Sequence, residues 1–516
     1  MRQLIHNGVF IPPYAPRGFK IRYRGQEVAL TPEQEEMAVA LCKCPPERLQ
    51  DPVFIRNFLR DFCSALGVEG KLEDFDFSEI RRWLDEEKLK KEAMSREEKK
   101  LLSEARKRER EERKEKYGFA IIDGQKVEVN FMVEPPCIFV GRGKHPLRGR
   151  WKPRIKYSDI TLNLSPDAPT PPVPDGTTWG ERVWDPDSLW IARWRDKLTG
   201  KMKYVWISDT APLKQERERQ KFELAKKLGQ KLPEIKKHVE RGLSSPDPLL
   251  RKIATVAYLI DLLKIRVGDE KDPDELDTIG ATTLRKSNVK IVGENKVEFD
   301  FLGKGAVRFH KTIEVHPQVV KNLKEFMNNS TDRLFPEIRC EQVNEFLGRI
   351  VPGITAKVFR TYYASAEVEK ALKEAGVGKD DAEFEKVLAA KLANLRAAQI
   401  LNHKKTPPKN WRERLQKREE KIKLLEEKIR LLRQEARTRR QRERLKKLRQ
   451  KLKEQKQRLE LMKSVKNYNL GTSLRSYINP EIYAEWAKKV ELDIRKIYTK
   501  SLLRKFGWVL GPETPA

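Results

Sequence analysis

Residues 411–464, WRERLQKREEKIKLLEEKIRLLRQEARTRRQRERLKKLRQKLKEQKQRLELMKS, decide how the chain is organised. Apolar residues recur at helical spacing in two runs. Ile422, Leu425, Ile429 and Leu432 make one stripe, and Leu445, Leu448, Leu452 and Leu459 make another. Neither stripe is broad enough to enter a globular core, but each can cover the other. With a turn near TRRQ, 438–441, the segment predicts an antiparallel two-helix hairpin of coiled-coil type over 404–466. Those residues hold 26 Lys and Arg against 9 Asp and Glu, a surplus of 17. Most charged hairpins are merely solvated, but a surplus of this size suits a course beside phosphates.

The excess extends to the whole chain. Its 516 residues include 108 Lys and Arg and 77 Asp and Glu, a net charge of +31. Such a field favours a polyanion, nucleic acid first among them. The length is too great for one core and implies several units. No stretch approaches a membrane span, and MRQLIHNGVFIPPYAP lacks the apolar core of a signal peptide. Of the five cysteines only Cys42 and Cys44 are close, and no second Cys/His pair completes a zinc pattern. Free thiols in a reducing compartment are expected, with no metal and no cofactor.

Outward from the hairpin, residues 467–516 read as a small helical C-terminal domain containing GTSLRSYINPEIYAEW. On the other side, 207–403 reads as a mainly helical lobe. Leu249, Leu250, Ile253, Val256, Leu259, Ile260 and Leu263 form one helical face within Pro248–Arg266, with Gly268 as the stop. Three strands follow, VKIV, KVEFDFLG and VRFHKTIEV, joined by glycine-containing turns, and then helices from about 316 to 403. Residues 1–206 read as a mixed α/β unit. Short strands come first, a helical arm lies at about 31–116, and a β-rich part covers 117–206. The charged stretch 78–116 has a thin apolar side and is expected to project into solvent. The fold class is α+β, multidomain.

Five residues stand where helix ends and turns expose them: Arg266 in LLKIRVGDEKD, Lys304 in DFLGKGAV, Arg360 at a strand-like to helix junction in ITAKVFRTYYAS, His403 at a helix end in AAQILNHKKTPP, and Tyr477 in LGTSLRSYINP. Together they could cut a nucleic-acid strand reversibly. A tyrosine stores the bond energy as a phosphotyrosine ester. Arginine forks hold the oxygens where charge builds, and Lys or His supplies a proton or hydrogen bond. Singly, each has an ordinary reading: a helix-end arginine, a turn lysine, a histidine on its helix carbonyls, a core tyrosine.

The motifs in order are VFIPPY, EKYGFAIIDG, VEPPCIFVGRGKHPLRG, IRVGDEKD, DTIGATTLR, VEFDFLGKGAVRF, ITAKVFRTYYAS, ILNHKKTPP and LGTSLRSYINP. Across nearly the whole chain they resemble the eukaryotic-type IB DNA topoisomerases. The resemblance implies that Tyr477 is the nucleophile, giving a 3′-phosphotyrosyl link. It implies that Arg266 and Arg360 hold the scissile phosphate, that His403 hydrogen-bonds one of its oxygens, and that Lys304 is the general acid. Arg142 matches a DNA contact near the cut, with Lys144 and Arg148 taken beside it as DNA-binding. It further implies a clamp: cap 1–206, catalytic lobe 207–403, linker 404–466 beside downstream DNA, and 467–516 returning Tyr477 to the site. It also implies double-stranded DNA as the partner, a monomeric state, and relaxation of supercoils of both signs without ATP or metal.

The sequence departs from the family at four places. The tyrosine motif, commonly Ser-Lys-x-Asn-Tyr, is here Ser473, Leu474, Arg475, Ser476, Tyr477, and Gly305 follows Lys304 where Asp is usual. Gly305 and Ser476 fall at positions that line the family's camptothecin pocket, so weak sensitivity is expected. The family's long charged N-terminal tail is missing. This favours an archaeal, cytoplasmic and nucleoid-associated protein, or a nuclear one if the chain is a trimmed eukaryotic sequence. Two other readings remain. A tyrosine recombinase would place its histidine and second arginine close together as His-x-x-Arg, whereas Arg360 precedes His403 by 43 positions. A non-catalytic basic DNA-binding protein would leave the five positions idle.

Overall fold

The computed structural model describes residues 1–141, 143–268, 278–303, 306–435 and 437–511. The fold is α+β, and it divides into two compact units, residues 1–214 and the described residues from 215 on. Arg142, Lys304 and Gly305 lie outside the described residues.

In the first unit the stretches read as strands pair locally. Phe119–Ile122 and Gln125–Glu128 form a hairpin, and Leu4–His6 adds to it antiparallel. Ile160–Asn163, Trp190–Arg195 and Met202–Trp206 lie in a four-stranded sheet that Glu181–Val183 completes by a parallel pairing. Their alternating apolar residues, among them Leu4, Ile122, Leu162 and Ile191, bury into one core. A second core gathers Met37, Phe54, Phe58, Phe62 and Ile80. It is built by the helices Pro32–Cys42 and Pro52–Leu66. Thr31 and Gln34 form a capping box at the start of the first. Asp51 accepts from Val53 and Phe54 at the start of the second, and Gly67 ends it at φ 69°.

The charged stretch is two helices, Ser78–Ala93 and Arg96–Tyr117, divided where Ser95 and Glu98 cap the second. Of the second helix only Tyr117 is buried.

The longest helix among the described residues, Pro212–Leu243, lies in the second unit from Gln215 on and is followed there by Pro248–Leu263 with Asp247 as its cap. The apolar pattern predicts that this second helix stops at Gly268. It ends at Leu263, because Lys264 turns left-handed at φ 57° and throws the chain out of the helix. Arg266 therefore stands on an extended segment and not on a helix end. The three strands form an antiparallel sheet, Val289–Ile291, Lys296–Gly303 and Val307–Glu314. Ile253, Ala257, Ile260, Phe299, Leu323, Phe346 and Phe359 belong to the core they share with the neighbouring helices.

A further core joins the helices Ala356–Glu374 and Glu383–Ile400 to the C-terminal helices. Its members include Ala364, Val368, Ala390, Ala397, Ile478, Tyr483 and Phe506. The C-terminal segment thus has no core of its own and folds against the helix that bears Arg360.

Between them stand the hairpin helices Trp411–Glu435 and Arg439–Ser464. Ile422, Leu425 and Leu459 are buried. Lys456–Glu426 at 2.7 Å, Lys463–Glu419 at 3.6 Å and Arg418–Gln455 at 3.2 Å link the pair antiparallel. TRRQ proves to be the start of the second helix, Thr438 and Gln441 forming its capping box. The base of the hairpin is stitched. Lys404 pairs antiparallel with Tyr468, Lys405 N donates to Asn467 O at 2.8 Å, and Asn469 N to His403 O at 2.7 Å. No helix among the described residues is long and apolar enough to cross a membrane.

Candidate active site

Three of the expected residues meet in the second unit. Arg360 does not sit at a strand-to-helix junction. It lies on the buried side of the first turns of Ala356–Glu374, because Thr355 already begins the helix. Its side chain is 8% exposed, yet among the described residues no carboxylate is one of its hydrogen-bond partners. Nη1 donates to Lys264 O at 2.6 Å, and Nη2 to Leu401 O at 3.2 Å and to His403 Nε2 at 3.2 Å. The guanidinium carbon lies 5.1 Å from the centre of the Tyr477 ring, and the His403 and Tyr477 rings are 5.2 Å apart.

Backbone geometry puts each group there. The left-handed Lys264 points its carbonyl at Arg360. Arg266 follows on a segment clamped to the TIGATT stretch: Ala281 N donates to Arg266 O at 2.8 Å and Thr282 N to Val267 O at 2.7 Å. Two glycines permit this close approach, since a Cβ on Gly280 would lie 2.4 Å from Gly268 Cα. Arg266 Nη2 reaches Thr278 Oγ1 at 3.4 Å. The helix before His403 closes through Asn402 at φ 55°, and His403 N donates back to Ala398 O at 2.8 Å.

The electrostatics describe an enclosed, cationic cluster. Burial disfavours the charged form of Arg360, the Tyr477 side chain supports it, and the Arg266 charge opposes it. His403 is pushed down to about 3 by burial and then by the Arg360 charge. Its imidazole is neutral and accepts from Arg360 at Nε2, so its proton sits on Nδ1. That atom and Arg360 Nε are buried without a hydrogen-bond partner among the described residues. Neutral donors and uncompensated guanidinium charge suit an anion with several oxygens.

The loop 141–150 belongs to the first unit and is held differently. Arg148 donates from Nε and Nη2 to Asp51 at 2.6 and 3.0 Å, which holds the Asp51 carboxyl down at about 2. Asn57 Nδ2 donates to Pro146 O and Arg148 O, both at 2.8 Å. Gly149, at φ 93°, lies so close that a Cβ would be 2.0 Å from Phe54 O. Lys144 is exposed on this stapled loop. Arg148, taken from the sequence as a DNA contact, has its guanidinium committed to Asp51.

Sequence reasoning missed the groups behind Arg360. Lys264 Nζ lies 3.4 Å from the centre of the Tyr363 ring, and Tyr363 Oη donates to Asp261 at 2.5 Å. Burial brings Lys264 down to about 8. The available signal was a lysine set between the core residues Leu263 and Ile265.

Three family models tile the chain. One described as eukaryotic DNA topoisomerase I, DNA binding fragment, matches residues 1–207, and the catalytic core of the same enzyme matches 210–436. A C-terminal topoisomerase domain matches 449–515. The chain is 39% identical to DNA topoisomerase 1 alpha of Arabidopsis thaliana over 99% of its own length and 58% of the relative's. It is 34% identical to the mitochondrial DNA topoisomerase I of Homo sapiens, covering 99% of this chain and 90% of that one. With DNA topoisomerase 1 of Homo sapiens the identity is 33%, over 98% and 70%. The chain belongs to the eukaryotic-type DNA topoisomerase I family. It spans less than two thirds of the Arabidopsis relative.

Proposed function

We propose that this protein is a type IB DNA topoisomerase that relaxes positive and negative supercoils without ATP or metal. The observation that carries the reading is the meeting of Arg360, His403 and Tyr477 in one enclosed cluster where, among the described residues, no carboxylate hydrogen-bonds the arginine.

Tyr477 Oη attacks the scissile phosphorus, forming the P–Oη bond as the bond to the 5′ oxygen breaks. The phenol proton passes to solvent, and the 5′ oxygen gains one from Lys304 in this reading. Arg360 and Arg266 hold the non-bridging oxygens as negative charge grows on them, and the neutral His403 donates a hydrogen bond. The strand rotates, and the 5′ hydroxyl reverses the step. Because the ester keeps the bond energy, no ATP is consumed.

In the same reading residues 1–206 form a cap that closes on duplex DNA, 207–403 the catalytic lobe, 404–466 a linker running beside the downstream duplex, and 467–516 the tyrosine domain. Lys144 contacts phosphate with Arg142, while Arg148 shapes their loop. The protein acts as a monomer, and Gly305 with Ser476 weakens camptothecin poisoning. The relatives named above are from a plant and from humans, one of them mitochondrial, and give no support to an archaeal source or a nucleoid setting.

Supercoiled plasmid of either sign, incubated with the protein in EDTA without ATP, is expected to relax. Relaxation of one sign only, or only with ATP or a divalent metal, would overturn the reading.

A further inference from the structure

The last turn before Tyr477 is gripped from outside at three consecutive carbonyls. Lys505 Nζ, at the end of the helix Lys500–Lys505, donates to Arg475 O at 3.0 Å. Lys221 Nζ, on Pro212–Leu243, donates to Ser476 O at 3.1 Å. Ser365 Oγ, on the Arg360 helix, donates to Tyr477 O at 3.3 Å and accepts from Asn479 N at 2.9 Å. The two lysines share one carboxylate, Glu218, at 2.8 and 3.3 Å.

Lysines often satisfy the last carbonyls of a helix, and a lone capping lysine would carry no inference. Three features separate this group. The lysines come from helices far apart in sequence, they converge on adjacent carbonyls, and their side chains are only 16% and 11% exposed. Glu218 balances one of the two charges, so the clip holds a surplus positive charge next to the residue that bears the nucleophile. The Glu218 carboxyl, which burial alone would raise, is kept below its usual range by both ammonium groups. Lys221 is brought down to about 8, chiefly by burial. Holding such poorly hydrated ammonium groups is costly unless their bonds fix something.

We propose that Lys221, Lys505 and Glu218 form a positioning clip that fixes the backbone of residues 475–477 and so sets the line of attack of Tyr477. This rests on the type IB reading for what Tyr477 attacks, but the clip itself is a property of the free protein. It links the nucleophile's segment to the helices Pro212–Leu243 and Lys500–Lys505, while Ser365 ties the same segment to the helix of Arg360. Misplacement of a reacting group by as little as about 1 Å can cost on the order of a hundredfold in rate.

The test uses the full chain with Lys221→Met, Lys505→Met and Lys221→Arg. Amide hydrogen exchange is read at residues 473–478 in the free protein, where Tyr477 N and Ile478 N both donate to Ser473 O. Single-turnover cleavage of a duplex oligonucleotide is read alongside its affinity. Both Met variants are expected to exchange faster at 473–478 and to cleave at least about tenfold more slowly. DNA affinity and melting temperature should change little, and Lys221→Arg should restore most of the rate. Wild-type exchange and wild-type cleavage in both Met variants would overturn the clip. So would a loss of rate that follows the melting temperature and is not restored by arginine. If the wild type itself does not cleave, the type IB reading falls, and the exchange result still decides the clip.

Discussion

Arg148 and Arg360 come from the same reading of the sequence, as arginines for DNA, and the fold holds them in opposite ways. Arg148 makes a two-pronged pair with Asp51, so its charge is cancelled and its geometry spent on fixing a loop. Arg360 is held by two backbone carbonyls and a neutral histidine. Carbonyls orient a guanidinium without cancelling it. In the proposed reading the difference separates an arginine that shapes from an arginine that acts, and burial sharpens it, because a guanidinium with no carboxylate partner among the described residues interacts strongly with an anion in a low-dielectric setting.

Replacing each arginine by glutamine is the most forceful way to break this comparison. Arg360→Gln is expected to lower cleavage by about a thousandfold, the scale of losing a donor to a developing oxyanion. Arg148→Gln should leave the rate per bound complex nearly unchanged, loosen the loop 141–150 and weaken DNA binding a few-fold, roughly the effect of a lost pair at a partly exposed site. Equal losses of cleavage from both variants would erase the distinction.

A smaller effect sharpens it. His6 in the first unit is buried and His403 at the site is half-buried, with values lowered from 6.5 to about 4 and about 3, in each case chiefly by burial. Their folded values lie below the unfolded one, so the unfolded chain takes up protons first as pH falls. Stability is therefore present above about pH 6.5 and is lost towards pH 4 and 3, with a slope of about 1.4 kcal/mol per pH unit for each group. Urea midpoints measured from pH 7 to 5 should fall, and His6→Gln should flatten the fall. Sulfate should protect the His403 share, because an anion there favours the imidazolium, and leave the His6 share untouched. A midpoint constant over this range would contradict the assignment of both as neutral imidazoles in the folded protein.

Much of the fold was legible in the sequence because the period of its apolar residues survives burial. The hairpin stripes at Ile422, Leu425 and Leu459 and the alternating strands of 296–314 are cases in point. Boundaries that depend on one backbone angle were not legible. The left-handed Lys264 ends its helix five residues before the first glycine that follows, Gly268, and no apolar pattern signals that. At the site, residue types and motif order pointed to Arg360, His403 and Tyr477. The groups that hold them did not show. Lys264 contributes a carbonyl that any residue could supply, and Lys221 meets Ser476 from 255 positions away. Among so many lysines, only the folded chain distinguishes the few that are enclosed.

The most direct test of the account is the identity of the covalent link to DNA. The protein is mixed with a duplex labelled on the strand to be cut and quenched with detergent, and the adduct is digested and sequenced. The account predicts a 3′-phosphotyrosyl bond at Tyr477, a free 5′ hydroxyl on the other fragment, and no adduct from Tyr477→Phe. An adduct on another residue, a 5′ linkage, or undiminished adduct from Tyr477→Phe would contradict it.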